Sequence, residues 1–211
     1  MFSKISRALV LSPHTDDGEL GAGGLISKLI NHNIHVDYIA FSAAEESVPA
    51  GFPTDILRSE VFEATKKLGI NSASVVVKKY PVRLLNFHRQ EILDDLITYR
   101  KHCLPDLILI PSLNDVHQDH ATVANEALRA FKSTTILSYE LPWNNIDFNA
   151  SFYVKLSEEE VNRKCSALSE YKSQSGRQYI SNDFTLSLAR VRGCQINVEF
   201  AECFEVVRWI V

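Results

Sequence analysis

The chain has 211 residues, a formal charge of −4, and 45% apolar against 23% charged side chains. That length and balance can bury the core of one domain, read here as residues 1–211, without cross-links. The chain lacks the basic excess needed to bind a phosphate backbone, so nucleic acid is not an expected partner.

Four cysteines, Cys103, Cys165, Cys194 and Cys203, form no C-x-x-C pair. They read as reduced packing thiols, with a cytoplasmic address expected. The apolar stretch Ala8 to Leu11 stops at Ser12-Pro13, too short for a signal-peptide core, and no run reaches the ~18 apolar residues of a membrane span.

In chain order, short β-rich runs alternate with stretches of helical period, the mark of a mostly parallel sheet covered on both faces. Strands are predicted at Ala8 to Ser12, Val36 to Ser42, Ala73 to Val77, Leu107 to Pro111 and Thr135 to Leu141. Helices are predicted at Glu19 to Asn31, Thr54 to Leu68, Gln90 to Cys103 and His120 to Lys132. Leu107 to Ile110 has no polar alternation, as expected of a central strand. Beyond Pro142 the pattern becomes more elaborate. An Asn- and Trp-containing loop leads to a short apolar piece, Phe152 to Leu156, and Ser157-Glu158-Glu159-Glu160 has capping-box spacing for a helix reaching about Lys172. A polar loop, a helical stretch near Phe184 to Arg192 and a closing strand within Asn197 to Ile210 complete the chain.

Ligands of open α/β sheets bind beyond the carboxyl ends of the strands, where the strand order reverses. The loop after the first strand reads His14-Thr15-Asp16-Asp17-Gly18-Glu19, and that after the Leu107 strand reads Asp115-Val116-His117-Gln118-Asp119-His120. If these strands are neighbours, imidazole and carboxylate from both loops meet in one crevice, and such a donor set suits zinc or ferrous iron with a position left for water. His14, Asp17 and one of His117 and His120 supply three ligands. The neighbouring Asp16 can then face water as a base. Spacing alone does not decide between the two later histidines.

The segments His14-Thr15-Asp16-Asp17-Gly18-Glu19 with Gly21-Ala22-Gly23-Gly24, His117-Gln118-Asp119-His120, Tyr171-Lys172-Ser173-Gln174 and Val198-Glu199-Phe200-Ala201-Glu202 resemble the PIG-L/LmbE-like deacetylases. The resemblance implies a Rossmann-like three-layer α/β domain and zinc-dependent removal of acetyl groups from N-acetylated amino sugars or glycoconjugates. It implies His14, Asp17 and His120 as metal ligands, Asp16 as general base, and His117 as the polar catalyst beside the amide with Asp119 its orienting partner; so paired, Asp119 is expected to raise the His117 pKa and favour its charged form. Thr15 stands where the family usually has proline, which is expected to loosen the loop.

Arg83, Arg58, Trp143 and Gln174 are the candidate substrate contacts, with Arg177 behind them. The expected substrate is a small N-acylated amino sugar, free or linked to phosphate or nucleotide, and a homo-oligomer is compatible with the sequence. Two rival readings stand beside this one. Gly21-Ala22-Gly23-Gly24 near a helix start suggests a nucleotide-binding Rossmann-like protein, although Asp16, Asp17 and Glu19 oppose a pyrophosphate there. The same fold could also serve a non-catalytic, metal-stabilised binding protein.

Overall fold

The computed structural model describes residues 4–210. Seven strands, β1 (Arg7–Ser12), β2 (His35–Ala40), β3 (Val75–Val77), β4 (Leu107–Pro111), β5 (Thr135–Tyr139), β6 (Phe152–Leu156) and β7 (Phe200–Arg208), form one sheet in the order β3-β2-β1-β4-β5-β7-β6. The first five run parallel, and β7 is antiparallel to both β5 and β6. This is a mostly parallel α/β fold, as the alternation of elements implied. The Phe152 to Leu156 piece is an edge strand, and the closing strand is shorter than its apolar pattern.

Successive side chains of β1, β2 and β4 divide between two cores, because a strand alternates its faces. Ala8, Val10, Tyr38, Leu107 and Leu109 pack on one side with α1 (Asp17–Asn31), α2 (Ile56–Leu68) and α5 (Glu158–Leu168). Leu9, Leu11, Ile39, Ile108 and Ile110 pack on the other with α3 (Arg89–Cys103) and α4 (Gln118–Ala130). A sixth helix, α6 (Asn182–Cys194), lies along β7 and α5. The Ser157 capping box forms as predicted, but α5 stops at Leu168, and residues 172–174 make a separate 3₁₀ turn.

Strands β1 and β4 pair directly, Ala8 with Leu107 and Val10 with Leu109. Strand order reverses between them, so the loops that follow both open into the same crevice.

The glycines of α1 allow close packing against the sheet and α5. A Cβ at Gly21 would lie 2.2 Å from the Tyr139 ring, one at Gly23 2.8 Å from Lys164, and one at Gly24 2.4 Å from Leu156. Their faces are filled by protein, which removes the basis of the nucleotide-loop reading. Among the described residues, no helix is long and apolar enough to cross a membrane, and all four cysteines are free thiols.

Candidate metal centre

The loop after β1 delivers Asp17 as the first residue of α1, where the helix dipole favours a negative charge. Ser12 Oγ accepts the Gly18 N–H at 2.9 Å and ties the end of β1 to that helix start. The loop after β4 delivers His117 as the N-cap of α4 and His120 within its first turn. Asp115 Oδ1 accepts the His117 N–H at 2.8 Å and shapes this entry.

Three donor atoms converge. His14 Nδ1 and His120 Nε2 each lie 3.2 Å from Asp17 Oδ2, and the two nitrogens are 3.3 Å apart. Donors at zinc-ligand distance from one tetrahedral centre stand about 3.3 to 3.5 Å from one another, so the triangle fits a divalent cation. A looser set, His14, His117 and His120, brings one ring nitrogen each within 4.8 Å of the others. The tighter triangle is the better ligand set, because Asp17 adds the negative charge a cation requires.

The second nitrogen of each of these two histidines meets a carboxylate, Asp119 Oδ2 at 3.0 Å from His14 Nε2 and Asp115 Oδ2 at 2.7 Å from His120 Nδ1. Such pairs fix the ring orientation and the tautomer at a metal site. Burial alone would depress both imidazoles. Asp119 and Asp17 outweigh it and hold His14 up at about 9, while Asp17 and Asp115 hold His120 up at about 10. Burial also works against ionising Asp17, yet His120 and His14 keep its carboxyl well below the usual range. Asp16 is pushed up to about 6 by burial and then by the charge of Asp17, with His14 and Arg177 pulling the other way.

One expectation is corrected here. The Asp119 carboxylate does not orient His117: it bonds His14 and accepts the main-chain N–H groups of Arg83 at 2.6 Å and Leu85 at 3.2 Å. His117 is instead steered by the Asp119 main-chain N–H, which donates to its Nδ1 at 3.2 Å. With no carboxylate on its ring, His117 is lowered to about 4, by burial first and then by His120 and His14, so it is neutral rather than protonated. The first loop is held at Thr15 through its main-chain carbonyl, a group that proline shares. Thr15 is buried, and its carbonyl accepts hydroxyls from Tyr38 at 2.8 Å and Tyr171 at 2.7 Å.

A cavity of about 340 Å³ opens over the cluster, and Arg83, Trp143, Gln174 and Arg177 all line it, together with Ser47 and Tyr179. Trp143 stacks on Tyr179 with ring centroids 4.1 Å apart and planes 11° from parallel. Gln174 is buried and donates to Ser173 Oγ, which in turn donates to Glu60. Arg58 is the exception. Its guanidinium bonds Glu45 Oε1 at 2.9 Å and the Lys78 carbonyl at 3.1 Å, so it braces the turn at 45–47 rather than facing the cavity.

The sequence reading gave no role to Asp115 or to the tyrosines. Asp115 stands two residues before His117 and five before His120, a spacing that could have marked it as the partner of both. Tyr38 carries no local signal, and Tyr171 stands in a family-like segment without a role. They reach the Glu19 carboxylate and the Thr15 carbonyl from β2 and from the loop after α5.

The sequence matches the model of the GlcNAc-PI de-N-acetylase family, PIG-L, over residues 9–131. The chain belongs to the PIG-L family. The matched span contains both loops of the metal centre and ends before Trp143, Gln174 and Arg177. Among solved structures, the conserved protein TT1542 from Thermus thermophilus is 23% identical, with a TM-score of 0.81 over 98% of this chain and 96% of that one. The N,N'-diacetylchitobiose deacetylase from Pyrococcus horikoshii is 19% identical, with a TM-score of 0.78 over 98% and 85%. GalB, the 4-carboxy-2-hydroxymuconate hydratase from Pseudomonas putida KT2440, is 18% identical, with a TM-score of 0.79 over 98% of each chain. At these identities the likeness is one of fold, and it includes a protein with another chemistry.

Proposed function

We propose that this PIG-L family protein is a metal-dependent N-deacetylase acting on a small N-acylated amino sugar. The observation that carries the reading is the triangle of His14 Nδ1, Asp17 Oδ2 and His120 Nε2, with sides of 3.2, 3.2 and 3.3 Å, set beside Asp16 in the floor of a cavity. These three residues would hold zinc, or ferrous iron, and the cation supplies Lewis acidity toward water and toward an amide carbonyl.

The protein's own groups divide the remaining work. The Asp16 carboxylate takes the proton of the attacking water. His117 Nδ1 is occupied by the Asp119 N–H, so the neutral ring carries its proton on Nε2 and donates from there to the oxygen that becomes negative. Adding a second proton to His117 would displace the Asp119 N–H. The proton for the departing amine therefore returns from Asp16. Asp119 and Asp115 are positioning residues behind His14 and His120. The Trp143–Tyr179 slab and Gln174 form the wall against which a sugar ring would rest, and the modest cavity suits an amino sugar with a short substituent.

The test is amine release from a panel of N-acetylated amino sugars by protein reconstituted with zinc or iron, with and without chelator. Chelator-sensitive release that Asp16→Asn lowers by a factor on the order of 10² to 10⁴ at full metal content is expected. Metal uptake without release from any substrate would favour a metal-stabilised binding protein instead.

A further inference from the structure

Among the described residues six arginines pair with a carboxylate, Arg7 with Asp37, Arg58 with Glu45, Arg89 and Arg129 with Glu126, Arg163 with Glu159 and Arg192 with Glu140, whereas Arg83, Arg100, Arg177, Arg190 and Arg208 are in no ion pair. Of these five, Arg83 and Arg177 line the cavity. Arg177 donates to the Tyr179 hydroxyl, and its charge acts on Asp16 and Asp17, so it belongs to the reacting end. Arg83 makes no ion pair among the described residues. Its guanidinium donates only to Ser47 Oγ, at 3.0 Å, and both residues line the cavity.

The backbone beneath Arg83 is unusual as well. Its φ is 68°, a left-handed conformation that costs an L-residue energy and that glycine adopts freely. Three hydrogen bonds hold it there: its own N–H and that of Leu85 to Asp119, and its carbonyl from Gln118 Nε2 at 3.3 Å. An exposed arginine at the cavity wall, with its backbone held in this conformation and no carboxylate partner, is placed to receive an anion. Because Asp119 also bonds His14, one carboxylate ties the Arg83 main chain to His14.

We infer that Arg83, steadied by Ser47, forms a subsite for an anionic substituent, a carboxylate or a phosphate, on the amino sugar whose acyl group lies at the metal centre. The inference rests on the deacetylase reading for the identity of the sugar, but its test does not rest on turnover. Binding of glucosamine, glucosamine 1-phosphate, glucosamine 6-phosphate and glucosaminuronic acid is measured by calorimetry on the full chain. At least one anionic probe should bind about 10- to 100-fold more tightly than glucosamine, the range of a charge-assisted hydrogen-bond pair, and the arm that does so identifies phosphate or carboxylate.

That ratio should collapse toward one in Arg83→Gln and persist in part in Arg83→Lys. In Arg83→Gly it should collapse while the melting temperature stays level or rises, because glycine relieves the φ strain. That result separates lost recognition from lost folding. Equal binding of all four probes to the unmodified chain, or a ratio that survives in both Arg83→Gln and Arg83→Gly, overturns the subsite. Failure of every N-acetyl substrate to release amine would overturn the deacetylase reading alone and leave the anion ratio to be judged separately.

Discussion

Replacing Asp115 by asparagine tests the architecture behind the proposed metal ligands. The Asp115 carboxylate is buried and serves two donors at once, the His120 Nδ1–H at 2.7 Å and the His117 main-chain N–H at 2.8 Å. An asparagine of the same size has one acceptor oxygen and one donor NH₂. Whichever way it is turned, an NH₂ group faces one of those donors. If it faces His120, the ring is driven to the tautomer with its proton on Nε2, the atom needed as a ligand. If it faces His117, the entry of α4 loses its bond and a buried N–H is stranded.

Loss of a carboxylate behind a metal-bound histidine typically weakens affinity 10- to 100-fold, or about 1.4 to 2.7 kcal/mol. We therefore expect Asp115→Asn to raise the zinc dissociation constant by that factor in a competitive chelator titration. Asp115→Ala should lie at the upper end of the range, because it strands both donors. An Asp115→Ala protein that folds normally and binds zinc with unchanged affinity would refute the assignment of His120 Nε2 as a ligand.

Three other outcomes follow from the same contacts. His14 and His120 are held at about 9 and about 10, above the usual 6.5, so both are protonated at pH 7 and a cation must displace both protons. Affinity should tighten by up to about 100-fold per pH unit between pH 7 and 9, with proton release visible by calorimetry in buffers of different ionisation enthalpy. Affinity independent of pH would contradict this. Gly21→Ala puts a Cβ 2.2 Å from the Tyr139 ring, and overpacking of this kind costs about 1 to 3 kcal/mol. Thermal denaturation should show a lower midpoint, whereas an unchanged one would mean that α1 can shift freely. Tyr171→Phe removes the hydroxyl that bridges the Thr15 carbonyl and Glu19, both buried, for a loss of about 1 to 3 kcal/mol in urea unfolding. An unaltered urea midpoint would show that Tyr38 alone suffices to pin the loop.

The alternating fold and the two His- and Asp-bearing loops that meet in the crevice were legible in the sequence, because both are local properties. Apolar runs of strand length and helices of 3.6-residue period declare themselves within short windows, and His14-Thr15-Asp16-Asp17 and His117-Gln118-Asp119-His120 concentrate ligands within a few positions. Even the pairing of β1 with β4 follows from the usual order of such sheets. The boundaries were less secure where a cap or a bend intervened. The α5 pattern continues in sequence toward Lys172, while the chain turns at Leu168.

The pairing of side chains across the crevice required the tertiary structure. Asp119 is two residues from His117, yet its carboxylate bonds His14, 105 positions away, because the start of α4 turns it toward the β1 loop. Arg58 and Arg83 look alike in sequence, but Glu45 neutralises one while the other stands unpaired at the cavity wall. Hydrogen bonds and charge pairs depend on distances of a few ångströms between residues that sequence order separates by tens of positions. Periodicity carries no record of those distances.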